Sequence, residues 1–460
     1  MISNLEGELL PGLGWLALAM ASLSLILTVG RALGARLQLR LWGIPEALLA
    51  GLLGLLLAPG GPLPLLPHQV LELWADLPLV LLTLVFGSLR LGKPLPKLQG
   101  LWRPVSGQVS LALVLAFGQY VVAGLAVLLV LQPWLGVSPI MACLIEVAYE
   151  GGHGSAAAMG PSYAALGFPG GQALGLAMAT VGLLSSTLVG GLLVVLGRSR
   201  RWRLADAAAS GETSTTTQMG ASAPTAASAQ PAGPGTWAVN LALAGVAVLV
   251  GVALLAALRW LTAGLGDGVA TVVDSLPVFP LAIVGSLLVR LVLERSGNAH
   301  WASAPVQGQI GTLSADLLIT AATAGLDLGL LRADWLPLTV LALSGLAWNL
   351  GVTLMLAPRL LSADWFERAV IEFGQATGVA ASGLLLLRMA DPEDRSDALP
   401  AFSIKQLLLQ PFLAGGVVTV VAPLAIADWG LPIWTGFCFG LVVLFASTGL
   451  LLARLKPEAT

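Results

Sequence analysis

Residues 146–160 read EVAYEGGHGSAAAMG, a stretch in which two carboxylates, a histidine and closely spaced glycines interrupt an apolar run. A second interrupted run contains Glu372-Phe-Gly-Gln-Ala-Thr377, against Glu150-Gly-Gly-His-Gly-Ser155 in the first. The two share the pattern Glu-x-Gly-(His/Gln)-(small)-(Ser/Thr). This similarity predicts an internal repeat whose two copies each carry one broken segment.

The amino-acid composition indicates that these segments lie in a membrane protein. Of the 460 residues, 57% are hydrophobic and 10% are charged, far below the quarter or so of charged residues in an average soluble domain. Many runs reach the ~20 apolar residues that a spanning helix needs. The chain is therefore predicted to be an all-α integral membrane protein, and its net charge of −2 gives no basic surface for nucleic acid.

Gly, Pro and charged residues divide the apolar sequence into eleven predicted spans and two broken segments. The broken segments, about 138–160 and 364–388, are interpreted as re-entrant hairpins, since they contain acids and glycines. The predicted spans cover residues 13–30, 43–58, 73–90, 107–131, 169–197, 237–258, 275–292, 312–331, 335–357, 404–426 and 431–453.

The distribution of positive charge predicts the orientation. With the N-terminus outside, twenty of the 22 lysines and arginines fall on the cytoplasmic side, and only Arg259 and Arg332 fall outside. This is the asymmetry expected of a bacterial inner-membrane protein. If one span were missed or a broken segment crossed the membrane fully, every later loop would change sides and the charge asymmetry would be lost. The observed asymmetry therefore favours the hairpin interpretation. It also predicts a cytoplasmic C-terminus.

The halves are then inverted relative to each other. Residues 1–197 form the first repeat, 198–236 a disordered cytoplasmic linker, 237–430 the second repeat, and 431–460 an extra C-terminal helix and tail. A weaker echo, Trp74-Ala-Asp-Leu77 against Ser314-Ala-Asp-Leu317, precedes the hairpins. Two inverted five-helix repeats with broken helices are typical of secondary transporters, which bind substrate and ions where the breaks meet.

The candidate substrate and ion site consists of residues from both hairpins. It comprises Glu150, Gly151, Gly152, His153, Gly154, Ser155, Glu372, Gly374, Gln375, Ala376, Thr377 and Gly378. The glycines allow close approach of backbone to ligand, and exposed N–H groups at a helix break attract carboxylates. Sodium favours oxygen ligands, so Glu150, Ser155, Glu372 and Thr377 are its candidate ligands.

Other polar residues have simpler interpretations. Gln119, Asn240 and Asn349 lie within spans, where amides commonly bond across helices. Asp76 and Asp316 are predicted to cap helix starts, with an ion or gating role as the alternative. Glu146 needs a partner or a wet cavity.

The first hairpin and the helix after it, GGHGSAAAMGPSYAALGFPGGQALGLAMATVGLLSS, resemble the bacterial sodium:glutamate symporter family. Its hallmark is GGHGT followed by small residues and an AT-x-GL stretch; Ile44-Pro-Glu46 and Phe86-Gly-Ser-Leu89 also resemble its second and third helices. The chain departs from the family at EFGQATGVAASG, where GFGLGATP is usual, and by its linker and eleventh helix.

The resemblance implies two inverted five-helix repeats, a homodimer, and import of L-glutamate coupled to Na⁺ by alternating access, with no cofactor and no enzymatic activity. One alternative is a sodium- or proton-coupled symporter of another small carboxylate or amino acid. A channel is a lesser alternative, since re-entrant loops also form selectivity filters. So is an intramembrane enzyme, although no His-Glu-x-x-His occurs.

Overall fold

The computed structural model describes residues 2–39, 46–93, 102–202, 233–262, 273, 276, 278–325, 332–361, 364–392 and 395–454. In these ranges every regular element is helical. The linker prediction, and Ile44-Pro45 of the family resemblance, fall largely outside the described residues.

Sixteen α-helices of six residues or more, numbered here in chain order, occur in the described ranges. In the first half they are α1 (Ile2–Arg36), α2 (Glu46–Leu57), α3 (His68–Ser88), α4 (Trp102–Ala126), α5 (Gly152–Ala158), α6 (Gly160–Ala165) and α7 (Gly171–Ser199). In the second they are α8 (Pro234–Thr262), α9 (Phe279–Arg295), α10 (Ala304–Ala324), α11 (Trp335–Gly351), α12 (Trp365–Thr377), α13 (Ala380–Ala390), α14 (Ala398–Leu409), α15 (Val417–Trp429) and α16 (Leu431–Arg454).

Seven described helices are long and apolar enough to cross a membrane: α1, α3, α4, α7, α8, α11 and α16, two of them with the turns that extend them. The all-α membrane prediction is therefore confirmed, whereas the count of eleven uninterrupted spans is not. Of the other predicted spans, α2 and α9 are shorter, α10 is more polar, and residues 404–426 do not form one helix.

That last prediction is wrong because the chain breaks between Gln410 and Gly416, separating α14 from α15. Pro411 cannot donate a helical hydrogen bond. Ala414 (φ 55°) and Gly415 (φ 93°) then adopt positive backbone φ angles. Because the break is flanked by apolar residues, hydropathy alone did not reveal it.

The third helices of the two halves, α3 and α10, pack against each other at the centre of a six-helix unit. The second helix of each half also packs on the third helix of the other half, α2 on α10 and α9 on α3. The first helices, α1 and α8, lie against the second helices of their own halves. Exchanging the two halves therefore leaves this packing pattern unchanged.

The fourth helices carry a second shared feature. After α4 a π-turn (Val127–Leu131) precedes a last turn, Gln132–Leu135, and after α11 a π-turn (Val352–Leu356) precedes Ala357–Leu360. In both last turns the second residue is proline, which lacks an N–H donor and so favours a local change in helical pairing. The two helices thus end in the same irregular way and pack on each other.

The remaining helices form a core unit with α4 and α11. Contacts between this core unit and the six-helix unit run mainly through α5, which packs on α3 and α10. Its small residues allow this approach: a Cβ on Gly154 would lie 2.8 Å from Leu82 and 3.3 Å from Leu318. The first hairpin therefore lies at the junction of the two units.

Two predicted caps are wrong. Asp76 and Asp316 lie inside α3 and α10, not at their starts. The helix α10 begins at Ala304, thirteen residues earlier than capping by Asp316 requires, and Asp316 instead forms an ion pair of 2.5 Å with Arg31 of α1.

Candidate functional site

The first hairpin packs along helix α7. The arm entering the hairpin contains a 3₁₀ turn (Pro139–Cys143) and a π-turn (Glu146–Glu150), and the returning arm is α5. A Cβ on Gly175 of α7 would meet Ala156 at 3.1 Å and Leu144 at 3.8 Å. Leu144 belongs to the entering arm and Ala156 to the returning arm. Because both lie beside Gly175, the chain reverses direction between them and forms a hairpin along α7.

The reversal occurs at Gly151 and Gly152. Gly152 has φ +69°, a conformation that L side chains rarely adopt. Directly after it, His153 Nε2 lies 3.0 Å from Thr180 Oγ1 of α7. The glycine pair therefore makes the turn, and the histidine fixes the returning arm to the neighbouring helix.

The second hairpin approaches α7 from the opposite end. Its arms, α12 and α13, are in backbone contact, since a Cβ on Gly374 would lie 2.5 Å from Gly383 Cα. Phe366 at its start packs on Gly197, and Gly378 at its tip packs on Ser186. From its first residue to the hairpin tip, α12 therefore runs beside α7, starting at the C-terminal end of α7 and reaching its middle.

The two tips meet beside the middle of α7. A Cβ on Gly182 would lie 2.5 Å from the Thr377 carbonyl of the second tip and 2.6 Å from the Tyr149 ring of the first. A Cβ on Gly152 would lie 2.6 Å from Val379. The breaks of the two halves are thus brought into direct contact.

Side chains from the long helices bind the carbonyl end of α12. The Ala376 carbonyl accepts hydrogen bonds from Gln119 Nε2 (2.6 Å) and Asn349 Nδ2 (2.8 Å). Asn349 Nδ2 also donates to Thr377 Oγ1 (3.0 Å), and Ser186 Oγ donates to the Gly374 carbonyl (2.9 Å). Carbonyls left without partners at this helix end are satisfied by α4, α7 and α11, so Gln119 and Asn349 do bond across helices.

The carboxylate of Glu372 is part of a buried polar network. Its Oε2 lies 2.8 Å from Lys405 Nζ of α14, and its Oε1 accepts a 2.8 Å hydrogen bond from Gln108 Nε2. Lys405 Nζ donates to Gln375 Oε1 at 3.1 Å, and Arg368 Nε donates to Gln108 Oε1 at 3.0 Å. Glu372 is therefore already neutralised by a residue of its own chain.

The two glutamates of the first hairpin differ sharply. Glu146 is fully buried and accepts hydrogen bonds from the Tyr120 hydroxyl (2.7 Å), the Thr419 hydroxyl (3.0 Å) and the Ala414 backbone N–H (3.2 Å). Glu150 is 4% exposed, and its Oε2 has no partner. Of these two glutamates, Glu150 is the one that offers a buried carboxylate oxygen to a further ligand.

Glu150 faces a narrow cleft between the first hairpin, the second hairpin and the break of residues 410–416. The cleft has about 180 Å³ of space between its atoms and no room for a whole water molecule. Its polar lining consists of Glu150, Gln375, Lys405, Gln406 and Gln410. In this conformation the protein is therefore closed around these five polar side chains.

The structure brings some predicted site residues together and separates others. Glu150 and Gln375 border the cleft, and Glu372 joins it through Lys405. Ser155 Oγ instead donates to the Gly151 carbonyl and lies against Gly415. Gly151, Gly152, Gly154, Gly374 and Gly378 make turns or close packing, and Ala376 contributes its carbonyl.

The four candidate sodium ligands do not converge on one point. The Thr377 hydroxyl is bonded to Asn349, Ser155 bonds its own hairpin, and Glu372 is paired with Lys405. Within the described part of the chain, no three His, Cys, Asp or Glu residues are grouped closely enough to hold a metal ion. The sodium ligands stay a prediction.

The sequence reasoning missed the residues outside the hairpin motifs that complete the site. Lys405 and Arg368 were counted as cytoplasmic cations, but both side chains are 1% exposed and lie within helices. Removing them leaves eighteen of twenty cations on the cytoplasmic side, so the asymmetry persists. The available signal was a lysine within an apolar stretch, preceded by Ile404 and followed by Gln406 and the three leucines 407–409.

Comparison with known proteins identifies the family of the chain. The family model described as sodium/glutamate symporter matches residues 16–375, which include the first hairpin and end within α12. No curated protein and no solved structure matches the chain significantly. Since the family model covers well over half of the 460 residues, this chain belongs to the sodium/glutamate symporter family, whose function is sodium-coupled glutamate transport and not enzymatic catalysis.

Proposed function

We propose that glutamate and sodium bind where the two hairpin tips meet beside Gly182, and that the two halves open this site alternately to opposite sides of the membrane. The observation that carries the proposal is the meeting of both breaks at the middle of one long helix. Helix α7 has 29 residues, a length of about 43 Å at 1.5 Å per residue. A site near its middle is therefore far from both ends.

The chemistry of the tips supports a zwitterionic amino-acid substrate with a coupling cation. The returning arm α13 begins at the second tip, directly after the extended residue Val379, so its first N–H groups lack helical partners and favour a carboxylate. Glu150 Oε2, buried without a partner, favours a cation, either Na⁺ or the substrate ammonium group. Opposite charges can thus be bound side by side.

Alternating access is supported by the directions of the hairpins. The first lies along the beginning of α7 and the second along its end, as expected if the halves are inverted. The charge asymmetry supports an external N-terminus and a cytoplasmic C-terminus in the bacterial inner membrane. The family resemblance supports a homodimer, which mass measurement in detergent or nanodiscs tests.

Uptake into proteoliposomes tests the proposed function. Labelled L-glutamate should accumulate above equilibrium with an inward sodium gradient and not with an equal potassium gradient. Glu150→Gln should raise the sodium concentration for half-maximal uptake, because an amide replaces the unpartnered carboxylate. Glu72→Gln, which alters an exposed carboxylate of α3, is the matched control.

Two further variants test the location. Gly152→Trp and Gly374→Trp should abolish accumulation, because even a Cβ at either position would lie within 2.6 Å of the opposite tip or arm. Normal sodium-driven uptake by Glu150→Gln and both tryptophan variants would place the site elsewhere. Absence of glutamate accumulation in the wild-type protein under any ion gradient would refute the substrate.

A further inference from the structure

Lys405 has a complete set of oxygen partners inside the protein. Its ammonium group lies 2.8 Å from Glu372 Oε2 and 3.1 Å from both Gln375 Oε1 and Gln406 Oε1. The two amide oxygens accept hydrogen bonds from Nζ, and Glu372 Oε2 is in ion-pair contact with it. Nζ also lies 4.6 Å from the centre of the Phe402 ring, a favourable position for a cation.

The same oxygens form the kind of environment that a small hard cation prefers. One carboxylate and two amide carbonyls surround the position of Nζ, and such neutral and anionic oxygens are the ligands of hard cations generally. Glu372 and Gln375 belong to the second hairpin, whereas Gln406 belongs to α14. The ammonium group therefore occupies a place where a free ion would neutralise Glu372.

No other described cation fulfils this role. Arg368 lies one turn before Glu372, but its Nη1 is directed to Asp364 (3.6 Å) and its Nε to Gln108 (3.0 Å). Arg368 is thus paired with Asp364 and Lys405 with Glu372, and the amide group of Gln108 links the two pairs. In contrast, Glu150 Oε2 in the neighbouring cleft has no partner.

We propose that Lys405 is a tethered cation that permanently occupies one cation position of the second hairpin. Glutamate transport by this chain is consequently coupled to one sodium ion fewer than it would be if Glu372 were unpaired. The inference rests on the proposed function, in which the second hairpin takes part in ion coupling. It differs from the prediction made from the sequence in making Glu372 a partner of Lys405 and not a sodium ligand.

The decisive variant is Lys405→Met, which removes the charge but keeps an unbranched apolar side chain. Equilibrium binding of radioactive sodium to the purified protein in detergent should show one additional ion per protomer. In proteoliposomes held at zero membrane potential with a tenfold sodium gradient, each added coupled ion should raise the limiting glutamate accumulation about tenfold, by mass action. Lys405→Arg, which retains a positive charge, is the control and should bind the wild-type number of ions.

The double variant Glu372→Gln/Lys405→Met replaces the pair by neutral side chains of similar size, a change that buried ion pairs often tolerate. It should bind the wild-type number of sodium ions, whatever its transport rate. This variant decides the question if Lys405→Met does not fold.

The proposal is overturned if Lys405→Met folds and binds no additional sodium, or if the double variant binds one ion fewer than the wild type. The second result would make Glu372 a sodium ligand in the native protein. Sodium binding is measured without glutamate, so the result stands independently of the substrate. An additional ion in Lys405→Met, together with failed glutamate uptake by the wild type, would refute the substrate and retain the tethered cation.

Discussion

Gly182 is the position at which a single methyl group would disturb both hairpin tips. In Gly182→Ala the new Cβ would lie 2.5 Å from the Thr377 carbonyl and 2.6 Å from the Tyr149 ring, distances that real Cβ atoms essentially never show. The carbonyl belongs to the backbone at the end of α12, so it cannot rotate away. One or both tips must therefore move from α7.

The size of the effect follows from two opposing contributions. Overpacking a close contact costs about 1–3 kcal/mol, and replacing a helical glycine by alanine recovers about 0.5–1 kcal/mol. With mid-range values of about 2 and about 0.75 kcal/mol, the net cost to the state with both tips against α7 is about 1.3 kcal/mol, or roughly tenfold in an equilibrium constant.

Gly191→Ala is the matched control on the same helix. A Cβ there has no atom within 4 Å, so only the gain of about 0.5–1 kcal/mol in helix stability is expected. Sodium-driven glutamate uptake and melting temperature in detergent are measured for both variants. Gly182→Ala should lose roughly tenfold in kcat/KM, whereas Gly191→Ala should not. Equal uptake and equal melting temperatures in the two variants would refute the meeting of the tips at Gly182.

Three other variants test the polar contacts. Tyr120→Phe removes a hydrogen-bond donor from buried Glu146 and should lower the free energy of unfolding by about 1–3 kcal/mol. The control is Tyr163→Phe, which removes a hydroxyl without a partner and should leave the melting temperature unchanged or raised. Equal losses of stability in the two variants would contradict a stabilising bond between Tyr120 and Glu146. Asn349→Leu removes the donor shared by the Ala376 carbonyl and Thr377 Oγ1, so uptake should fall about tenfold for about 1–2 kcal/mol lost at the tip, and unchanged uptake would show that the bond does not matter. Arg290→Met removes a buried donor to the Leu91 carbonyl and should lower the unfolding temperature without changing the KM for glutamate, because it lies in the six-helix unit.

The hairpin sequences could be recognised because their chemistry conflicts with their surroundings. Acids and clustered glycines are costly within an apolar run, so Glu150-Gly-Gly and Glu372-Phe-Gly mark positions where the backbone departs from a plain spanning helix. The structure places both motifs at or next to helix breaks. Local sequence was sufficient because the signal is itself local.

The partners of these motifs depend on contacts between distant segments and could not be predicted in the same way. Lys405 lies 33 residues after Glu372, and Asp316 pairs with Arg31 across 285 residues. The capping interpretation of Asp316 failed because it used only the nearby sequence. Similarly, the break after Gln410 has a proline and two glycines as signals, but its apolar residues made it resemble a continuous span.

The returning arm α5 has a mechanical consequence. It provides the main contact between the six-helix unit and the core unit, and its sequence, GHGSAAA, presents only one large side chain, which bonds to α7 within the core unit. Because its other side chains are small, α5 does not interdigitate with Leu82 and Leu318 of the six-helix unit. Displacement of one unit along the other therefore meets little steric resistance there, and a leucine at Gly154 or Ala157 would act as a wedge that fixes their relative position.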